Sequence, residues 1–194
     1  MVLPFDCLIL AAGASSRMSD WKMLLPWEGS TIVETSVRKA LDACRRVILV
    51  AGFRAEELRA LFADRIRAGE MAFVANPVYE RGMFSSVQAG AGLVTSQRFF
   101  LALGDMPRVE PSVYRLLLRY EGEVVIPKYR GKKGHPLLLS SAAGRRIQEL
   151  EQDRSMRDVL AEFPTLAVPV EEPGVVQDID DAQDYRRYIG SEPS

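Results

Sequence analysis

The chain has 194 residues, 47% of them hydrophobic and 26% charged, a length and apolar content suited to one compact domain, 1–194, with a substantial core. With 25 basic against 26 acidic residues there is no global positive field to draw nucleic acid, so any bound anion must be gripped by a local cluster. No apolar run approaches the length of a membrane span, and the first apolar stretch is broken by Asp6 and lacks a basic leader. This pattern predicts a cytoplasmic protein with no membrane partner. Cys7 and Cys44 lie in no metal-ligand spacing and read as buried thiols in a reducing compartment.

Taken in order, Phe5 to Lys22 opens with an apolar run ending in Leu10-Ala11-Ala12-Gly13-Ala14-Ser15-Ser16-Arg17-Met18, with a lysine at Lys22. This pattern predicts a buried strand feeding a phosphate-gripping loop. Small residues let backbone N–H groups approach an anion, and Arg17 and Lys22 add charge. The loop is neither of two familiar kinds: it lacks the second glycine and Lys-Ser/Thr of a P-loop, and Ser15 and Met18 stand where a dinucleotide turn needs glycines. An ordinary strand-to-helix turn with two solvated cations is the simpler reading of the same residues.

Thr31-Ile32-Val33-Glu34 has the form of a capping box, and Val33, Val37, Ala40, Leu41 and Cys44 recur at helical spacing. Val47 to Val50 reads as a central parallel strand. Glu56 to Ala68 reads as one helix with Leu58, Leu61, Phe62 and Ile66 on its buried face and Arg54, Arg59, Arg65 and Arg67 in solvent. Met71 to Ala75 is a short strand stopped by Asn76-Pro77, Val78 to Gly82 is loop, and Ser85 or Ser86 opens a helix running to Val94. Phe99 to Leu103 is the next buried strand, Pro111 suits the first turn of a helix over Val113 to Tyr120, and Val124 to Ile126 is again a strand. Lys128 to Leu139 reads as a basic, hairpin-like excursion. Helices near 142–150 and 156–163, an edge strand Leu166 to Val170 and a helix from Ala182 complete the chain. Strands alternating with helices predict an α/β fold with a mostly parallel sheet and ligands beyond the carboxyl ends of its strands, where Gly13 and Asp105 both fall.

Two acidic positions carry candidate chemistry. Asp105, in Leu103-Gly104-Asp105-Met106-Pro107, stands where a core strand runs out and could hold Mg2+ against a triphosphate, or serve as a turn or cap aspartate. Asp178-Ile179-Asp180-Asp181 packs three acids into four positions, at a repulsive cost unless a cation is present; in an extended chain Asp178 and Asp180 share a face.

The loop Leu-Ala-Ala-Gly-x-Ser-Ser-Arg-Met followed by Lys22, with Gly82-Met83-Phe84-Ser85-Ser86, Gly104-Asp105-Met106-Pro107, Gly134-His135-Pro136 and Asp178-Ile179-Asp180 in the same order, resembles the MobA-like nucleotidyltransferases, which include the molybdenum cofactor cytidylyltransferases. The resemblance implies a Rossmann-like three-layer fold of the nucleotide-diphospho-sugar transferase type. It further implies a Mg2+-dependent transfer of CMP from CTP to the terminal phosphate of molybdopterin, with release of pyrophosphate. Ala11, Ala12, Gly13 and Ser86 would bind nucleotide, Arg17 and Lys22 the β- and γ-phosphates, and Asp105 with Asp178 the metal. Ser85, Lys132, His135 and Arg157 would lie on the acceptor side. Asp180 and Asp181 read as turn or cap residues. His135, the sole histidine, is not needed as a base, because the acceptor is already an anion. Gln152 and Ser155 depart from the Gly-Asp-x-Gly-x-Arg pattern that Asp153 and Arg157 retain. Ala12 matches the cytidylyl form Leu-Ala-Ala-Gly against the guanylyl form Leu-Ala-Gly-Gly. The product would be handed on through transient contact with a molybdoenzyme or its chaperone. A different phosphorylated acceptor, such as a sugar or polyol phosphate, and a non-catalytic cofactor carrier are the rival readings; both aspartates favour turnover over carriage.

Overall fold

The computed structural model describes residues 3–14, 20–151 and 153–189. In chain order the elements are β1 (Leu3–Ala11), β2 (Pro26–Trp27), β3 (Ser30–Thr31), α1 (Ile32–Leu41), β4 (Cys44–Ala51), α2 (Ala55–Leu61), α3 (Ala63–Arg67), β5 (Met71–Ala75), α4 (Met83–Ala91), β6 (Arg98–Leu103), α5 (Pro111–Leu117), β7 (Val124–Tyr129), β8 (Lys132–Lys133), β9 (Leu137–Ser140), α6 (Ser141–Glu149), α7 (Met156–Ala161), β10 (Thr165–Pro169) and α8 (Ala182–Ile189). Short 3-10 turns stand at Lys22–Leu24, Tyr79–Arg81 and Pro173–Val176. The main sheet runs β10-β7-β9-β6-β1-β4-β5, with β8 paired to β7.

β1 is apolar on both faces because both are covered. Its odd residues Cys7, Ile9 and Ala11 pack with Val33, Val37 and Ala40 of α1, Leu58 of α2, and Val113, Tyr114 and Leu117 of α5. Leu8 and Leu10 face the other way, onto Phe84 and Val87 of α4, Ala143 and Ile147 of α6, and Val159 of α7. Each fully buried Leu, Ile or Phe contributes about 1.5–3 kcal/mol of transfer free energy, so these two layers carry the fold. Gly90 brings α4 onto the sheet: a β-carbon there would lie 2.2 Å from Leu8 Cδ1 and 2.6 Å from Val50 Cγ2.

The expected three-layer α/β fold with a mostly parallel sheet is present. β1 pairs in parallel with both β4 and β6. The chain first moves from β1 out to β4 and β5, then returns through α4 on the opposite face to lay β6 on the other side of β1. This reversal of winding opens a crevice at the carboxyl ends of β1 and β6, the place where such sheets bind ligands.

Four sequence expectations are corrected. Leu137-Leu138-Leu139 is no excursion: only β7 and β8 form a hairpin, turning at Arg130 and Gly131, both at positive φ. β9 then enters the sheet antiparallel between β6 and β7, buried along Leu137 to Leu139. The helix expected over Glu56 to Ala68 breaks at Phe62 (φ −102°, ψ 13°), whose ring turns into the core while Leu61 is left exposed. Cys44 does not continue the helical pattern; α1 stops at Leu41 and Cys44 begins β4. α4 begins at Met83, so Ser85 and Ser86 lie inside its first turn and do not cap it. The capping box of α1 forms as expected, with Glu34 N–H donating to Thr31 Oγ1 and Thr31 N–H to Glu34 Oε2.

Candidate active site

A cleft of about 370 Å3 opens at the winding reversal, and Ala12, Gly13, Lys22, Ser86, Asp105 and Asp180 are among its lining. Ala11, the last residue of β1, is buried beneath it. The β1 and β6 ends are tied by Gly104 N–H donating to Leu10 C=O at 2.8 Å. Gly104 is tightly packed: a β-carbon would meet Leu10 O at 3.1 Å and Ala11 Cβ at 3.2 Å, so its neighbours would have to give way. The loop stem is held from two sides. Phe53 N–H donates to Ala12 C=O at 3.1 Å, and buried Trp21 donates its indole N–H to Gly13 C=O at 3.0 Å. Trp21 in turn packs edge-on against Phe53, with ring centroids 5.7 Å apart. At Gly13 an added β-carbon would meet nothing within 4 Å among the described residues, and Gly13 lines the cleft. Ser15, Ser16, Arg17 and Gln152 lie outside the described residues.

Lys22, 8% exposed, places its ammonium 2.6 Å from Asp105 Oδ2 and 3.4 Å from Asp180 Oδ1. The other Asp105 oxygen, Oδ1, is buried and accepts no hydrogen bond from the described residues. The segment carrying Asp178 and Asp180 is pinned beside Asp105, because Ile179 N–H donates to Asp105 C=O at 3.0 Å and the Ile179 side chain is fully buried. Burial raises the Asp178 pKa above the ordinary carboxylate value, and the charges of Asp180 and Asp105 raise it further against the pull of Lys22. Among the described residues Lys22 thus pairs with Asp105 and Asp180, and its charge also reaches Asp178. The expected turn or cap role fits Asp181, which accepts from Gln183 and Asp184 N–H groups at the start of α8. Asp180 instead lines the cleft, and the signal was its two-residue spacing from Asp178 across an apolar Ile179.

His135 is stitched into the same end of the sheet: its N–H donates to Val175 C=O at 2.8 Å, and its Nδ1 lies 3.3 Å from Leu101 O. Burial lowers its pKa, outweighing the opposing influence of Leu101 O, Asp105 and Asp178, so the ring is neutral at neutral pH and can orient more readily than it can supply charge. Ser86 lines the cleft, whereas Ser85 does not; its hydroxyl donates to Gly82 C=O at 2.8 Å. Lys132, on β8, and Arg157, on α7, are exposed and outside the cleft lining. Sequence reasoning passed over Trp21, Tyr79 and Asn76, the last read only as a strand stop.

The family model described as a MobA-like NTP transferase domain matches residues 7–168. The chain is 37% identical over 182 residues to the molybdenum cofactor cytidylyltransferase of Escherichia coli K12, covering 93% of each. It is 26% identical over 171 residues to a probable molybdenum cofactor guanylyltransferase of Bacillus cereus G9842, covering 80% of this chain and 78% of that one. A nucleotidyl transferase from Methanothermobacter thermautotrophicus superposes with a TM-score of 0.82 at 23% identity, covering 96% of each chain. The chain is an enzyme of the nucleotidyltransferase class and belongs to the MobA-like NTP transferase family.

Proposed function

We propose that this protein transfers CMP from CTP to the terminal phosphate of molybdopterin and releases pyrophosphate. The observation that carries the reading is the convergence, in one cleft, of an open backbone stem at Ala12 and Gly13 with Lys22, Asp105 and Asp180. The higher identity to a cytidylyl than to a guanylyl relative supports cytosine as the base.

The residues fit a hard divalent cation. Among the described residues Asp105 Oδ1 is a buried oxygen without a donor, and the Asp178 pKa is raised by burial first and then by the charges of Asp180 and Asp105. Two carboxylates with substrate phosphates completing the shell suit Mg2+, since it keeps few protein ligands. Asp105 and Asp178 would hold the ion, which supplies neutralisation of phosphate charge when bound.

In the reaction, an oxygen of the acceptor phosphate attacks the α-phosphorus of CTP. A P–O bond forms as the bond to the α,β-bridging oxygen breaks, and pyrophosphate leaves with that electron pair. No proton has to be removed from the acceptor, in keeping with a half-buried His135 that orients rather than titrates. Lys22 and Arg17 neutralise the departing pyrophosphate, and the stem at Ala12 and Gly13 lets the chain of phosphates approach the backbone. Positioning and charge neutralisation supply the rate. Lys132 and Arg157, exposed at the periphery, act on the acceptor side through long-range charge. The test is to incubate the protein with Mg2+, molybdopterin and each of the four ribonucleoside triphosphates in turn. Pyrophosphate release that requires CTP and molybdopterin together supports the reading, and release without molybdopterin or none with CTP contradicts it.

A further inference from the structure

Behind the cleft wall lies a buried polar knot that the functional reading does not use. Asn76, 3% exposed, follows β5 and has its own N–H bound to Ala51 C=O at 2.7 Å. The Val78 backbone N–H donates to its side-chain Oδ1 at 3.1 Å. A backbone N–H can only donate, so this bond identifies the oxygen and fixes the opposite atom as the amide nitrogen. That nitrogen lies 3.0 Å from Ser85 Oγ and 3.0 Å from Ser86 Oγ. An amide carries two N–H protons, and each serine therefore accepts one.

The two hydroxyls are left in different states. Ser85 passes its proton to Gly82 C=O at 2.8 Å. Among the described residues, Ser86 makes only the hydrogen bond that it accepts from Asn76, and Ser86 lines the cleft. With one of its two lone pairs taken by Asn76, the Ser86 hydroxyl still has its proton to give, and the cleft lies beside it. Resting on the nucleotidyltransferase reading, we infer that Asn76 is a positioning residue: it orients the Ser86 hydroxyl so that its proton is directed to an acceptor atom of the bound nucleotide. A lone serine hydroxyl rotates freely and has two lone pairs; Asn76 occupies one of them, restricts the rotation and so biases the contact toward donation. Substrates presenting an N–H at this point are disfavoured, because the hydroxyl must turn its proton elsewhere to accept from them.

The test is a double-mutant cycle on Asn76→Ala and Ser86→Ala, run in the intact protein with whichever triphosphate the wild type binds best, CTP and GTP being the calorimetric probes. Each single change is expected to weaken nucleotide binding by about tenfold, the worth of one neutral hydrogen bond. The double variant is expected to be no weaker than Ser86→Ala, since Asn76 acts through that hydroxyl. Additive losses in variants with native circular dichroism would overturn the inference and make Asn76 merely structural. Ser86→Ala guards against a failure of Asn76→Ala to fold: it removes the hydroxyl and leaves Asn76 in place, and a loss of nucleotide affinity under about twofold in that variant would overturn the inference. If the wild type binds neither triphosphate, the functional reading fails first and this inference falls with it, an outcome distinct from additivity.

Discussion

Replacing Asp105 separates stability from catalysis in a way the geometry makes quantitative. At an effective dielectric of about 20, the Lys22–Asp105 contact of 2.6 Å represents a gross attraction of about 6 kcal/mol, much of it cancelled by desolvating the two charges. In Asp105→Ala the buried Lys22 ammonium keeps Asp180 at 3.4 Å, a partner two-fifths exposed and so screened. The crowding of acids around Asp178 is relieved at the same time. These opposed changes leave a net destabilisation of about 1–3 kcal/mol, within what a folded domain tolerates. Asp105→Asn keeps the shape and one acceptor oxygen for Lys22, and should unfold within about 1 kcal/mol of wild type. Neither variant offers a carboxylate to a cation, so both should lose on the order of 10²–10³ in kcat/KM, the usual cost of removing one preorganised electrostatic group from a transition state. Denaturant unfolding and pyrophosphate release measured on the same preparations make the comparison. An Asp105→Asn enzyme with wild-type kcat/KM would refute the role given to Asp105.

Three further outcomes are expected. Burial raises the Asp6 pKa, but the Thr95 N–H and the Arg45 and Arg46 guanidiniums outweigh it and hold the carboxyl at about 2 against an ordinary 3.8. This depressed value contributes about 2 kcal/mol of stability above pH 4 that is lost as the pH falls through 2; Asp6→Asn should flatten that acid limb in urea titrations, and an unchanged slope would contradict the assignment. Ala12→Gly removes one methyl group from the cleft wall and should narrow the CTP:GTP ratio of kcat/KM by roughly 10- to 200-fold or less without inverting it; a ratio that does not move would take Ala12 out of base selection. Neutralising Lys132 and Lys133 together, both exposed on β8, should raise the acceptor KM more than the nucleotide KM, and a rise in the nucleotide KM alone would reverse the two sides of the site.

How much of this was legible beforehand follows from the range of the interactions. The strands around β1 and the crevice at Gly13 and Asp105 could be read locally, because continuous apolar runs ending in glycine are themselves the signal of buried parallel strands. β9 could not, since Leu137-Leu138-Leu139 is too short for a period, and only its pairing with both β6 and β7 gives it a place. The break at Phe62 was hidden for the same reason: the apolar spacing continues through it, while the core takes Phe62 and leaves Leu61 in solvent. In the site, Asp178 and Asp180 shared a face on paper, yet Asp180 was set aside as a cap because nothing local announces Lys22, 158 residues away. Asn76 before a proline reads as a turn; its knot with Ser85 and Ser86 exists only once α4 has folded back over β4 and β1.

The central claim, cytidylyl transfer to molybdopterin, is tested most directly by a competition in one vessel. Wild-type protein with Mg2+, molybdopterin and equimolar CTP and GTP is allowed to turn over, and the dinucleotide product is weighed by mass spectrometry. The cytosine dinucleotide of molybdopterin should dominate; a predominantly guanine product, or molybdopterin left unmodified, would contradict the account.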